Sequence, residues 1–379
     1  MRTSGLAWPG AAFALVAATF AVSICLWANG ARAQETIGTV KRVEGRPSVV
    51  RGSAGMVAVV GMALQSGDVL RTGPGEGIGL LMADDTSFTV GERAEIVLDR
   101  FIYDPARSAA AFTARVAKGS FKYLSGQVAR IAPDSVRLAL PVSTIGVRGT
   151  HVAGRVCTEG DPACAYVAAR DDGSFRMLSG EELLTGTIKP LASDPEAGRS
   201  VREVVVLLPD PDGTVGRIRV STAAGVRVLE EGSTATLVYG ANRVPSEPFP
   251  VREGAIGSFL DMAARTAPES PSRFTFLFET GTTNFVPESD VVARRVASEL
   301  ARREHREIFV VGHADAVGGD AANVALSRAR AEAVRAILVR AGIDARAIRI
   351  LFRGAAEPAV PTAAGVADVR NRRVEVSVR

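Results

Sequence analysis

Two oppositely charged residues near the C-terminus lie where they could bind a ligand that carries both charges. Asp315 is in the loop at residues 312–318 (GHADAVG), which follows an apolar run typical of a strand. Arg330 is on a helix predicted from about residue 322 to 341, within the same apolar stripe as Asn323. An unpaired charge in such a stripe is costly, so Arg330 needs a partner, and Asp315 is the natural candidate.

Two interpretations of this pair stay open from spacing alone. In the first, Asp315 and Arg330 form an internal ion pair that binds no ligand. In the second, they line a slot beside a helix N-terminus, where Asp315 binds an ammonium while Arg330 and backbone N–H groups bind a carboxylate. Such a slot suits the zwitterionic head group of an amino acid.

The elements that carry this pair belong to a region of alternating strands and helices. Residues 274–379 predict strands at 274–278, 307–311, 349–352 and 373–378, with helices at about 287–303 and 322–341. Gly342 marks the end of the second helix. The apolar stripe predicted for that helix consists of Leu326, Ala329, Ala333, Val334, Ile337 and Ala341.

The chain from residue 35 to about 239 follows a different pattern. Short β-branched runs are broken by glycine every 8 to 12 residues, which is typical of an all-β sandwich, barrel or solenoid. Residues 216–229 predict two further strands. Residues 245–273 are rich in Pro, Ser and Glu and predict a linker, with a short helix around 256–264.

The first 33 residues have the layout of an export signal. Arg2 precedes an apolar run, and the small residues Ala31 and Ala33 predict cleavage before Gln34; an uncleaved membrane anchor is the alternative. Export would favour a local disulfide between Cys157 and Cys164, with two free thiols as the other possibility.

Composition excludes several classes of protein. The 379 residues carry a formal net charge of +4, which leaves no large surplus to attract nucleic acid. The three His and three Cys are not grouped at metal-ligand spacings, so neither a metal nor another cofactor is expected. His151 and the scattered acids form no nucleophile–base arrangement, which makes a periplasmic hydrolase the weaker interpretation.

Three motifs in the C-terminal region resemble the OmpA-like peptidoglycan-binding domain. They are residues 312–318, residues 323–334 (NVALSRARAEAV) and residues 371–376 (NRRVEV). The resemblance implies an α/β domain over residues 274–379, with helices on one side of a small mixed sheet. It also implies that Asp315 and Arg330 hold the diaminopimelate of the peptidoglycan stem peptide.

The same resemblance assigns three further residues. Asn323 and the surroundings of Leu326 would line the pocket, whereas Arg372 corresponds to an arginine with a more structural role. Ala314 stands where the family usually has Thr, so a hydroxyl contact with the ligand would be missing.

The N-terminal β region resembles the FecR-type periplasmic domain. The residues that carry this resemblance are 66–73 (SGDVLRTG), 116–126 (VAKGSFKYLSG) and 140–150 (LPVSTIGVRGT). A FecR-like domain is therefore predicted at 34–156 and a β-rich continuation at 157–244. Gly146 and Gly149 predict tight turns on either side of Arg148, which is expected to be paired inside the fold.

Together these features predict a multidomain, non-enzymatic cell-envelope protein. It would bind peptidoglycan through its C-terminal domain and present the FecR-like domain to an unknown periplasmic protein; the alternative is a sensing component in which the C-terminal domain only anchors. The predicted location is the periplasm at the wall, with outer-membrane association left open. Replacing Asp315 or Arg330 by alanine is expected to abolish binding and to leave the fold intact.

Overall fold

Many strands in the N-terminal part of the chain contain β-branched residues, which favour an extended backbone. The computed structural model describes residues 36–104, 109–158, 167–169, 175–177, 201–251, 260, 262–287, 289–303 and 306–379. The predicted export signal and Cys164 lie outside these residues. Residues Thr36–Arg379 form one compact unit.

Nineteen strands and one short helix precede residue 251 in the described part of the chain. The helix is α1 (Val128–Ile131). The strands are β1 Gly38–Glu44, β2 Ser48–Arg51, β3 Ala54–Val57, β4 Ala63–Leu64, β5 Val69–Arg71, β6 Gly77–Met82, β7 Ser87–Val90, β8 Glu95–Asp104, β9 Ala109–Leu124, β10 Val136–Ala139, β11 Thr144–Arg148, β12 His151–Val156, β13 Val167–Ala169, β14 Phe175–Met177, β15 Glu203–Leu208, β16 Arg217–Thr222, β17 Gly225–Leu229, β18 Thr234–Val238 and β19 Phe249–Pro250.

Strand β9 belongs to two sheets at once. Its C-terminal end pairs with β7 and β12 in the first sheet, ordered β4-β1-β6-β7-β9-β12-β15-β18-β19. Its N-terminal end pairs with β8 and, in parallel, with β10 in the second sheet, ordered β3-β2-β5-β8-β9-β10-β11-β16-β17. Strands β13 and β14 form a separate pair.

The inner faces of the two sheets share one hydrophobic core. Alternate residues of β10 and β11 point into it, so Val136, Leu138 and Ile145 are buried. A group of aromatic rings fills its centre, including Phe112 and Tyr123 with ring centroids 5.6 Å apart. Burying each such ring stabilises the fold by about 2 kcal/mol.

The C-terminal part is a four-stranded sheet with two helices. Its order is β20-β23-β21-β22, antiparallel except for the β21–β22 pair. The elements are β20 Ser272–Leu277, α3 Ser289–Ala301, β21 Ile308–Gly312, α4 Asp320–Arg340, a 3₁₀ turn Ala345–Ala347, β22 Ile348–Phe352 and β23 Arg373–Val378. Every predicted strand and helix of this region is present, within a few residues at its ends.

The stretch predicted as a linker differs from that expectation where it is described. Residues 252–259 and 261 lie outside the described residues, and α2 (Met262–Arg265) follows them. Phe249, Leu260 and Ala263 are buried in a hydrophobic cluster with residues of β15 and β18. A Cβ added at Gly91 of the first sheet would lie 3.1 Å from the Ala263 Cβ. This stretch therefore packs on the β region.

Asp85 joins the two parts of the compact unit. It has a φ of +68°, which presents its carboxylate to the end of the C-terminal sheet. The carboxylate pairs with Arg379 and, at 2.9 Å, with Arg273. The Arg379 guanidinium also donates to the carbonyl of Ala83 and lies 3.8 Å from the centre of the Phe309 ring.

A second ion pair lies across the same junction. The ammonium of Lys41 on β1 is 2.7 Å from the Glu307 carboxylate at the start of β21, and both side chains are mostly buried. Ion pairs that are shielded from water are screened little by salt. The junction is therefore held by specific ion pairs and hydrogen bonds between the β region and the C-terminal sheet.

Replacing Asp85 by asparagine is expected to lower the free energy of unfolding by about 1–2 kcal/mol. Asparagine tolerates a positive φ, so the loss reports the charge alone. Urea unfolding of wild type and variant measures it, with Asp290→Asn on exposed α3 as the control. Equal stability of Asp85→Asn and wild type would contradict a role for the carboxylate at the junction.

Candidate functional site

A close approach between a strand end and a helix positions the loop that carries Asp315. A Cβ at Gly312 would lie 1.9 Å from the carbonyl oxygen of Ser327 on α4, so only glycine fits there. The next two amides donate to backbone carbonyls, His313 to Arg373 at 2.9 Å and Ala314 to Gly354 at 2.7 Å. These contacts fix the chain up to Asp315.

Asp315 forms an ion pair with Arg372 and not with the predicted partner. Its carboxylate is 3.1 Å from Nη1 of Arg372, and 8% and 12% of the two side chains are exposed. The Nε of Arg372 donates to the carbonyl of Phe278 at 3.2 Å. The expectation of a direct Asp315–Arg330 pair is therefore wrong in this structure, and Arg372 has a more central place than its predicted rank.

Arg330 is fully buried and is held by backbone carbonyls. Its guanidinium donates to Thr282 from Nε at 3.1 Å, to His313 from Nη1 at 3.2 Å and to Glu279 from Nη2 at 3.2 Å. It also lies 5.3 Å from the centre of the Phe278 ring. Arg330 thus ties the turn after β20 to the loop after β21.

The charges of Asp315 and Arg372 both influence the ionisation of Arg330. Burial lowers the pKa of Arg330 to about 10, while the Asp315 carboxylate raises this pKa and the Arg372 guanidinium lowers it. A pKa of about 10 still leaves Arg330 charged at neutral pH. Two guanidiniums and one carboxylate give this cluster a surplus positive charge.

The buried face of α4 is rotated from the predicted stripe. Val334 and Ile337 are buried as expected, whereas Leu326 is only half-buried and Ala329 is exposed. The face in contact with the sheet consists of Asn323, Ser327, Arg330, Ala331, Val334, Ile337 and Leu338. The polar members have local partners: the Ser327 hydroxyl donates to the carbonyl of Val324 and accepts from the amide of Gly354.

Asn323 lies in the first turn of α4, beside the loop of Asp315 in sequence, and is 4% exposed. The helix begins after Gly319, which supplies no side-chain cap. Its first amides are thus free of the usual capping side chain. Asn323 and Arg330 thus lie on the same buried face of α4.

Two residues beside Arg372 were not singled out by sequence reasoning. Asn371 is fully buried, and its amide both accepts from the Val360 amide at 2.9 Å and donates to the Val360 carbonyl at 2.8 Å. Arg373 donates to the carbonyl of Glu357 at 3.2 Å. Both residues fix the segment after β22. The sequence signal that could have indicated Asn371 and Arg373 is the N-R-R run to which they belong.

Cys157 lies at the end of β12 and is 9% exposed. Because Cys164 lies outside the described residues, the disulfide between them stays a prediction. Within the described ranges, no helix is both long and apolar enough to cross a membrane. In the same part of the chain, no three His, Cys, Asp or Glu residues are grouped in a way that could hold a metal ion.

A mixed four-stranded sheet with two helices, and an acidic loop facing a buried helix arginine, define an OmpA-like class of domain. The model of the OmpA family matches residues 277–372. "Outer membrane protein A" of Bordetella avium is 31% identical over 144 residues, which are 38% of this chain and 70% of that protein. The chain belongs to the OmpA family.

Other similar proteins match a little over a quarter of the chain. "Probable lipoprotein YiaD" of Escherichia coli K12 is 30% identical over 101 residues, which are 27% of this chain and 46% of that protein. The crystal structure of the peptidoglycan-associated lipoprotein from Burkholderia pseudomallei is 23% identical, with a TM-score of 0.26. The match covers 28% of this chain and 89% of that one.

Proposed function

We propose that the chain binds the peptidoglycan stem peptide at its diaminopimelate residue, through the side of the C-terminal domain that carries Asp315. One observation carries this proposal: in a member of the OmpA family, a loop carboxylate and two arginines form one nearly buried cluster. A zwitterionic head group fits such a cluster because it offers both an ammonium and a carboxylate.

Each residue of the cluster has a distinct part in the proposal. Asp315 uses only one oxygen on Arg372 and can accept further hydrogen bonds from an ammonium. Arg372 meets the ligand carboxylate with the N–H groups that Asp315 and Phe278 leave unused. Arg330 adds positive charge and holds both loops in place, while Asn323 and Leu326 line the side of the pocket.

The proposal places the protein in the periplasm at the wall, as a non-enzymatic component without a cofactor. The β region, with its FecR-like motifs, would be presented to a periplasmic protein partner. This part of the proposal is supported by the two extended sheets, which offer large outer faces, and by the predicted export signal.

Asp315→Asn is expected to reduce binding to peptidoglycan by about tenfold or more, because one ligand charge loses its partner. Residues 34–379 are sedimented with insoluble diaminopimelate-type peptidoglycan, and the bound fraction is measured. Asp290→Asn is the matched control, since Asp290 is exposed on α3.

Diaminopimelate carries one carboxylate more than lysine. Lysine-type peptidoglycan should therefore bind a smaller fraction of the wild-type protein. Near-ultraviolet circular dichroism establishes that the variants are folded. Retained binding by folded Asp315→Asn, or a wild type that does not sediment, would refute the proposed site.

A further inference from the structure

The outer face of the second sheet carries four exposed arginines, Arg100, Arg137, Arg148 and Arg219, which we term the arginine face. They lie on β8, β10, β11 and β16, alternating with residues that point into the core. Arg148 was expected to be paired inside the fold, and the structure instead places it exposed at the end of β11.

Strand register aligns three of these arginines in one row. Thr113 of β9 pairs with Arg100 on one side and with Arg137 on the other. Beyond Arg137 the row continues through Gly146 to Arg219. Arginines on every second strand are about 10 Å apart, given the usual spacing between strands.

The row is open between its arginines. A Cβ built on Gly146 would have no atom within 4 Å, so there is open space between Arg137 and Arg219. Hydroxyl groups of Thr144 and Ser221 belong to the adjacent row of the same face. The surface thus combines spaced guanidiniums with small polar side chains.

The acidic side chains near this face that the structure describes are paired with other arginines. Asp99 pairs with Arg115, and Glu230 pairs with Arg217. Throughout the described residues, none of the four arginines of the arginine face forms an ion pair. Arg148 lies directly opposite Arg217 in the β11–β16 register, and of these two arginines Arg217 is the one paired with Glu230.

Exposed aliphatic side chains continue the same face at one end. Val228 of β17 pairs with Arg219, and Val226 pairs with Ser221. These two valines are 40% and 41% exposed. An acidic polypeptide can supply carboxylates to the arginines and aliphatic side chains to the valines on one surface.

We propose that the arginine face, with Val226 and Val228, docks an acidic protein surface that also bears aliphatic side chains. Arginine suits this role because its planar fork binds carboxylates in a bidentate manner. The inference deepens the proposed presentation of the β region to a partner and rests on that part of it. It is independent of peptidoglycan binding, which uses other residues.

The test uses a fluorescent peptide in which pairs of Glu alternate with pairs of Leu. Fluorescence anisotropy measures its binding to residues 34–379. Arg137→Glu/Arg219→Glu is expected to weaken binding by about tenfold or more. Val226→Ser/Val228→Ser should weaken it without any change of charge. The matched control is Arg294→Glu/Arg340→Glu, which makes the same charge change on exposed helix positions of the C-terminal domain.

Three outcomes would overturn the proposal. The first is no binding of the peptide by folded wild type, and the second is an equal loss in the helix control, which would indicate general charge attraction. The third is binding to phosphatidylglycerol vesicles or to polygalacturonate as tight as to the peptide. The same variants are also sedimented with peptidoglycan. This second measurement distinguishes a failure of the arginine face from a failure of the proposed peptidoglycan site.

Discussion

Replacing Arg330 by alanine is expected to lower the free energy of unfolding by about 3–5 kcal/mol, the usual cost of breaking a buried charged network from one side. The change would leave the carbonyls of Glu279, Thr282 and His313 buried without these donors. It would also leave Asp315 with Arg372 as its single nearby cation in the cluster. The sequence alone leads to the expectation that this variant keeps its fold; the buried network leads to the opposite expectation.

Denaturant unfolding of residues 34–379 measures this effect. Arg328→Ala is the matched control, because Arg328 is on the exposed side of the same helix, and its loss should stay within about 1 kcal/mol. Arg330→Lys should recover only part of the stability, because one ammonium cannot reach three carbonyls that diverge. Equal stability of Arg330→Ala and wild type would show that these hydrogen bonds contribute nothing.

Replacing Gly312 by alanine is expected to cost about 3 kcal/mol, at the upper end of overpacking. The added methyl would meet the Ser327 carbonyl at 1.9 Å, which is backbone of a long helix and cannot rotate away. The helix α4 would have to move from the sheet and take Arg330 with it. Peptidoglycan binding should therefore fall together with stability.

Gly319→Ala is the control for this substitution. Gly319 begins the same helix and has a negative φ, and an added Cβ there meets no atom within 4 Å. Thermal unfolding compares the two variants. A melting temperature of Gly312→Ala no lower than that of Gly319→Ala would argue against the close strand–helix contact.

Local pattern predicted the elements well where one face is buried. Strand β23 (Arg373–Val378) has the predicted bounds, because valines alternate with polar residues along it. The end of α4 followed from Gly342, whose φ is +92° and whose successor Ile343 donates to the carbonyl of Leu338. Such signals depend on neighbouring residues and not on contacts with distant parts of the chain.

Long-range pairing could not be predicted in the same way. Nothing in residues 109–124 indicates that one half of β9 joins one sheet and the other half the second. Which strands become neighbours depends on loop closure and on partners far along the chain. The N-terminal family resemblance therefore predicted β structure without its topology.

The sequence indicated that Asp315 and Arg330 lie close together, but it did not predict which charged groups pair. Helical periodicity brought Arg330 and Asn323 to one face, but alanines on several sides of α4 left the rotation of the helix undetermined. The contact of Gly312 with Ser327 sets that rotation. Arg372 then reaches Asp315 from β23, a step that depends on sheet order and not on spacing within α4.

The contacts of Asp85 and Lys41 have a mechanical consequence. A force applied between the C-terminal domain and the β region would act on two groups of ion pairs in parallel, in addition to the connecting chain. Both groups span the junction, so both would have to break before the two parts could separate. While these ion pairs are intact, the arginine face would keep a fixed distance and orientation from the C-terminal domain.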